Sequence, residues 1–292
     1  MIRTRVCELM EIDHPIALGG MGSIYSPDLV AAVSNAGGLG AMGCHRLDEA
    51  GIRAGVAALR ERTNKPFALN FLLFDLVEER FAAALALRPK AIAFAWPRPE
   101  QDLKSYVGRA HDAGCKVTFM ANGVPEAVKA AEAGADVIIA QGTEGGGHVG
   151  WVTSMVLTPM VVDAVAPIPV LTAGGVADGR GLAAAIALGA DGVLLGTRFL
   201  ASVESPLHPN FKQAIVDADG HDTALSEIPD IAAGEVWPGA MSRSRRNRFI
   251  ERWAATNGCC VRSRRKRALR SRRRARRATS TRRHCRWDRM PG

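Results

Sequence analysis

Asp136-Val-Ile-Ile-Ala-Gln141-Gly-Thr-Glu-Gly-Gly-Gly-His148-Val-Gly150 is a short β-branched run that empties into a loop holding one imidazole and five glycines. The apolar run from Val137 to Ala140 shows no alternation, which predicts a strand buried on both faces, as in a parallel sheet. Five glycines weaken local packing, and a loop that carries them bends sharply and passes close to something flat or bulky. His148 brings the one side chain of the loop whose ordinary pKa lies near neutrality, so it suits proton exchange at working pH. The simpler reading is a tight strand-to-helix turn with a surface histidine.

The same rhythm extends in both directions. Strand-like runs fall at 15–18, 38–42, 67–71, 90–95, 116–120, 136–140, 168–172 and 192–195. Helix-like segments separate them, at 27–36, 47–62, 76–87, 100–113, 124–133, 158–165 and 178–188. Ser26-Pro27 and Asp178 supply N-terminal caps, while Gly114, Gly134 and Gly189 supply C-terminal stops. Eight apolar strands alternating with helices predict a (β/α)8 TIM barrel, with an open doubly wound sheet as the alternative. The barrel is expected over residues 1–202, and 203–258 reads as a cap or substrate-side segment. Within that segment, 208–218 has a helical pattern.

In such a barrel, ligands sit at the C-terminal strand ends, and phosphates commonly lie on the loops after strands seven and eight. Here those loops contain Gly174-Gly175 and Leu194-Leu195-Gly196-Thr197, whose backbone N–H groups face little side-chain bulk. The first loop, Gly19-Gly20-Met21, offers paired glycines and a flexible thioether suited to a planar ring. Asn70 and Gln141 are amides where the strands should be apolar. Buried amides need partners, found either in a ligand edge or in neighbouring backbone.

Gly19-Gly20-Met21, Asn35-Ala-Gly-Gly-Leu-Gly40, Gln141 to His148, Thr172-Ala-Gly-Gly-Val-Ala-Asp-Gly-Arg180 and Gly189 to Phe199 together resemble the nitronate monooxygenase family, formerly 2-nitropropane dioxygenases. The resemblance covers about residues 10 to 257. It implies an FMN-dependent barrel that oxidises nitroalkanes or nitronates with oxygen, giving a carbonyl compound and nitrite. By this resemblance Gly19, Gly20, Met21, Asn70, Gln141, Gly146, Gly175, Leu194, Leu195, Gly196 and Thr197 contact FMN. Gly174 joins them at the phosphate, and His148 is the catalytic base. The family motif Glu-Ala-Gly-Gly-His stands here as Glu144-Gly-Gly-Gly-His148, a change that removes no functional group. Flavin-dependent enoyl-acyl-carrier-protein reductases have similar motifs, so a nicotinamide-dependent reductase of an enoyl thioester or quinone is the rival reading.

Composition narrows the rest. The chain has 292 residues, 47% hydrophobic, with a mean hydropathy of zero and no apolar run near the roughly 20 residues that cross a bilayer. The first residues lack a signal-peptide pattern, so a cytoplasmic location is expected. Six cysteines form no C-x-x-C pair and are read as reduced thiols, and the scattered histidines imply no metal site. Residues 262–292 hold 14 Arg and one Lys against a single acid, Asp288. Removing that +14 from the net +9 leaves −5 for the remaining chain, a mildly acidic body with a basic tail. Family members usually continue past Trp253 with an acidic, alanine-rich helix. The stretch 259–292 is instead expected to be disordered or the product of a shifted reading frame. Its Arg272-Arg-Arg-Ala-Arg-Arg277 run attracts nucleic acid and other polyanions only non-specifically, because a single aromatic, Trp287, leaves little for bases to stack on.

Overall fold

Eight parallel strands close on themselves in the computed structural model, which describes residues 2–21 and 24–255. They are β1 (Ile16–Leu18), β2 (Gly40–Gly43), β3 (Phe67–Leu72), β4 (Ala91–Ala95), β5 (Lys116–Ala121), β6 (Val137–Gln141), β8 (Val170–Ala173) and β9 (Gly192–Leu195). A three-residue strand outside the barrel, β7 (Gly147–Val149), interrupts the count. The sheet runs β1-β9-β8-β6-β5-β4-β3-β2, and the two ends meet through Leu18 N–H to Leu39 O and Leu39 N–H to Ile16 O, both 2.9 Å. This is a (β/α)8 barrel, with each strand at its predicted place to within two residues.

The helices form for the reasons the sequence supplies. Ser26 Oγ accepts from Leu29 N at the start of α2 (Pro27–Asn35), and Asp178 accepts from Arg180 N and Gly181 N at the start of α8 (Gly179–Ala187). Gly114, Gly134 and Gly189 all take positive φ just past helix ends. Outward-facing Leu69, Ile92, Phe94, Phe119 and Ile138 pack against the surrounding helices in one large core. Inward-facing Ala17, Ala41, Ala68, Ala91 and Ile139 form a second. Several short elements escaped the sequence reading, β7 among them. Helix α1 (Arg5–Met10) is too short to show periodicity, yet it packs Val6, Cys7 and Met10 into that inner core. Arg5 holds it there through two bonds to Asp191, Nε to Oδ1 at 2.9 Å and Nη2 to Oδ2 at 2.7 Å.

The chain divides into two compact units. The first comprises residues up to His221 together with Pro238–Arg243, and it contains the whole barrel. The second comprises Asp222–Trp237 and the chain from Ser244. Its described part includes α11 (Ile228–Ala233) and α12 (Arg248–Ala255), with Arg245 Nε donating to Asp222 Oδ2 at 2.8 Å. Residues 256–292, with the arginine-rich stretch and Cys259, Cys260 and Cys285, lie outside the described residues. Cys7, Cys44 and Cys115 are buried free thiols, and burial pushes Cys44 up to about 12, so it is a packing residue and not a nucleophile.

Asp136, at the N-terminal edge of the barrel, gives a pH-dependent contribution to stability. Burial pushes its carboxyl up, but bonds from Val117 N (2.8 Å), His111 Nε2 (2.8 Å) and Lys116 Nζ (2.9 Å) outweigh burial and hold it below its usual range. An acid whose folded pKa is lowered contributes stability above its unfolded pKa and loses it as pH falls through the folded value. Asp136→Asn is therefore expected to lower the urea midpoint at neutral pH and to flatten its decline on acidification. An unchanged acid limb in the variant would contradict this assignment.

Candidate functional site at the C-terminal rim of the barrel

Strands β1, β3, β6, β8 and β9 deliver their C-terminal ends to one rim, and the sequence-singled residues meet there in pairs. Gly19 N–H donates to Leu195 O at 2.9 Å, so the first loop leans on the last strand. Gly20 is pressed against Asn70: a Cβ added at Gly20 would stand 2.2 Å from the Asn70 Cβ. Asn70 is buried and its Nδ2 donates to Ala93 O at 3.2 Å, so part of its amide is satisfied by the neighbouring strand. Met21 is half-buried against the outer core. A Cβ on Gly146 would come within 2.6 Å of Thr197 Oγ1, which sets the β6 loop against the β9 turn. Gly175 faces Glu144 in the same way, at 3.3 Å.

Beneath this rim the barrel interior mixes small and large side chains. Ala17, Ala41, Ala68 and Ala93 line a cavity with Gly20 and Asn70, and Met120, Ile139, Leu171 and Leu194 line it too. Gln141, at the end of β6, is buried, and its Oε1 has no hydrogen-bond partner among the described residues. A buried amide oxygen left unpaired is uncommon and points to a donor the protein itself does not provide. At Gly196 a Cβ would meet nothing within 4 Å. The rim thus combines glycine turns, an open face beside the β9 turn at Gly196 and two buried amides, Asn70 and Gln141. These residues fit a planar, hydrogen-bonding cofactor with a phosphate.

The glycine-rich loop is explained only partly by a ligand. Gly142 lies under α7 (Ser154–Val165), where a Cβ would sit 2.1 Å from Ser154 Oγ and 2.3 Å from Ser154 N. Its glycine is required by the protein's own packing. Gly174 has φ +97°, a conformation that side chains resist, and its carbonyl accepts from Ser154 Oγ at 2.9 Å. Glu144, which the sequence reading passed over, places its carboxylate at the start of α7 and accepts from Ser154 N at 2.9 and 3.1 Å. A carboxylate is favoured at a helix N-terminus, where backbone N–H groups lack partners. Glu144 and Ser154 therefore tie the β6 loop to the β8 loop. The signal in the sequence was an acid ten residues ahead of a serine, which no local pattern marks.

His148 lies on β7, which pairs antiparallel with Met241–Arg243 of β11 (Met241–Arg245). Ser242 stands directly opposite His148, and Arg243 Nε donates to Thr143 O at 2.8 Å. The imidazole is thus mounted on a strand pair whose second member lies nearly 100 residues on. The glycines around it suggested only a flexible loop.

A closed parallel barrel with glycine turns and buried amides at its C-terminal rim has the architecture of barrels that bind ligands at that face. The particular family follows from comparison: the nitronate monooxygenase family model matches residues 3–85 and 76–281, and the chain belongs to that family. The family's members are generally flavin-dependent. The chain is 38% identical over 231 residues to (3aS,4S,5R,7aS)-5-hydroxy-7a-methyl-1-oxo-octahydro-1H-indene-4-carboxyl-CoA dehydrogenase of Rhodococcus jostii (strain RHA1). That match covers 78% of this chain and 64% of the dehydrogenase, so the chain spans a little under two thirds of that relative's length. It is 32% identical over 274 residues to a probable nitronate monooxygenase of Staphylococcus saprophyticus, covering 78% and 76% of the two chains. Among solved structures, FabK from Thermotoga maritima superposes with a TM-score of 0.80 at 37% identity, covering 90% of this chain and 82% of that one. Among the described residues no helix is long and apolar enough to cross a membrane.

Proposed function

We propose that the protein binds FMN at the barrel rim and oxidises nitroalkanes or their nitronates with oxygen, with His148 as the base. The observation that carries the reading is the unpaired, buried Oε1 of Gln141, one residue before the loop that leads to His148. The cofactor would lie over the cavity at the barrel mouth, with Gly19, Gly20, Met21, Asn70, Gln141 and Gly146 about its ring system. Gly174, Gly175 and the turn from Leu194 through Leu195 and Gly196 to Thr197 would hold its phosphate through backbone N–H groups. Bound FMN supplies the electron transfer and the reaction with oxygen. The chain's own work is to seat the substrate, hold it against that surface and move one proton. His148 would take the α-proton of a neutral nitroalkane onto an imidazole nitrogen, leaving the nitronate anion. General-base help of this kind is typically worth about 10² to 10⁴ in rate.

A second reading is favoured by a specific finding: identity to the carboxyl-CoA dehydrogenase, 38%, exceeds that to the probable nitronate monooxygenase, 32%. In it the protein is an NAD(P)H-dependent reductase or dehydrogenase of a CoA or enoyl thioester. The two readings separate in one assay. Protein loaded with FMN is given 2-nitropropane in air, and separately NADH or NADPH with crotonyl-CoA. Nitrite release without nicotinamide supports the first reading. Thioester-dependent oxidation of nicotinamide with no nitrite overturns it in favour of the second. Polyanion binding through Arg272–Arg277 falls outside the described residues and has no structural support.

A further inference from the structure

At the end of β5, next to β6 in the barrel, a second amide shares the condition of Gln141. Asn122 follows Ala121, the last residue of that strand, and its Oδ1 is buried without a partner among the described residues. An asparagine just before a helix commonly accepts from the first helical N–H groups. Here α6 (Val124–Glu132) begins at Gly123 with no side-chain cap.

The amide is turned the other way, by Glu126. Oε2 of Glu126 accepts from Asn122 N at 2.8 Å and from Asn122 Nδ2 at 3.4 Å. Burial pushes the Glu126 carboxyl up while the bonds from Asn122 hold it down, and with the carboxylate accepting from the backbone N–H the side-chain group beside it is the NH2. With nitrogen held by Glu126, the amide oxygen lies on the far side of the Asn122 Cγ. Asn122 also abuts the chain just past His148. A Cβ added at Gly150 would stand 2.8 Å from Asn122 Cβ and 3.0 Å from Asn122 O. Two buried amide oxygens on adjacent strands, one before the His148 loop and one against its exit, thus lack donors.

We propose that Asn122 is a ligand-contacting residue whose Oδ1, held in place by Glu126, accepts a hydrogen bond from an N–H donor of the bound cofactor or substrate. The inference rests on the flavin-oxidoreductase reading. The shared chemistry is an amide-type N–H, present in the imide of a flavin and in the pantetheine arm of a CoA thioester, and absent from a simple nitroalkane.

The test uses the full chain and variants Asn122→Ala, Asn122→Ser and Glu126→Gln. FMN affinity is read by fluorescence quenching on titration into apoprotein. Coenzyme A affinity is read by calorimetry on FMN-loaded protein, and melting temperature is recorded alongside. Asn122→Ala is expected to weaken one of the two ligands by about three- to tenfold, the ratio expected for one net hydrogen bond. Weaker FMN binding assigns the donor to the flavin; weaker coenzyme A binding alone assigns it to the substrate. Asn122→Ser, which keeps a donor for Glu126 but withdraws the amide oxygen, is expected to match it and stands in if the alanine variant does not fold. A changed melting temperature with both affinities intact overturns the proposal and leaves Asn122 a packing residue. If the parent chain takes up no FMN, the functional reading itself falls. If the parent binds and the variants bind as tightly, only the Asn122 assignment is lost.

Discussion

His148→Asn is expected to lower turnover of a neutral nitroalkane by about 10² to 10⁴, the usual range for removing a general base, while turnover of preformed nitronate falls far less. Asparagine keeps approximate size and some hydrogen bonding, so the β7 strand and its pairing with β11 should persist. What disappears is the nitrogen able to take a proton. A nitronate arrives already deprotonated and needs no such group. Oxygen consumption with 2-nitropropane and with its nitronate, on matched FMN-loaded samples, gives the comparison. Equal losses on both substrates would mean that His148 seats the substrate and does not move its proton. No loss on either would bring the thioester reading forward.

Gly196→Val is expected to weaken FMN binding by about 10²-fold or more while leaving the barrel folded. Two backbone N–H bonds to a phosphate, each worth roughly 1.5–3 kcal/mol, account for a loss of that size. The position is diagnostic because of its surroundings. A Cβ at Gly196 meets no protein atom within 4 Å, whereas one at Gly20 meets Asn70 at 2.2 Å and one at Gly174 meets Gly142 O at 2.8 Å. Substitution at either of the last two would disturb the protein itself, so weaker flavin binding there would prove little. At Gly196 the added side chain occupies only space that the cofactor is proposed to fill. Flavin retention at parental affinity, with an unchanged melting temperature, would move the phosphate elsewhere.

The family resemblance and the geometry support each other at different resolutions. Membership follows from matches spread over most of the chain, and the fold from the closed ring of strands. The choice of reaction depends on a few side chains at one rim, which relatives of different activity can share. The substrate assay and the His148 and Asn122 variants are aimed at that choice.

The sequence by itself pointed to the barrel. Its eight strand-like runs were too apolar to face water on either side, several helices carried their own caps or stops, and the count of eight favoured closure over an open doubly wound sheet. It also marked Gly20, Asn70, Gln141, Gly174 and Gly196 as unusual, because a glycine or an amide at a strand end breaks the local rule. The tertiary structure decided why each is unusual. Gly20 makes way for Asn70 and Gly142 for Ser154, contacts between segments about 50 and 12 residues apart that no window of sequence displays. It decided that Asn70 is partly satisfied by Ala93 whereas Gln141 is left an open acceptor. It revealed α1, whose six residues are too few for periodicity but which packs into the inner core. Above all it set His148 on a strand opposite Ser242. Strand pairing is a property of two segments brought together, and a run of glycines carries no record of the partner it will meet.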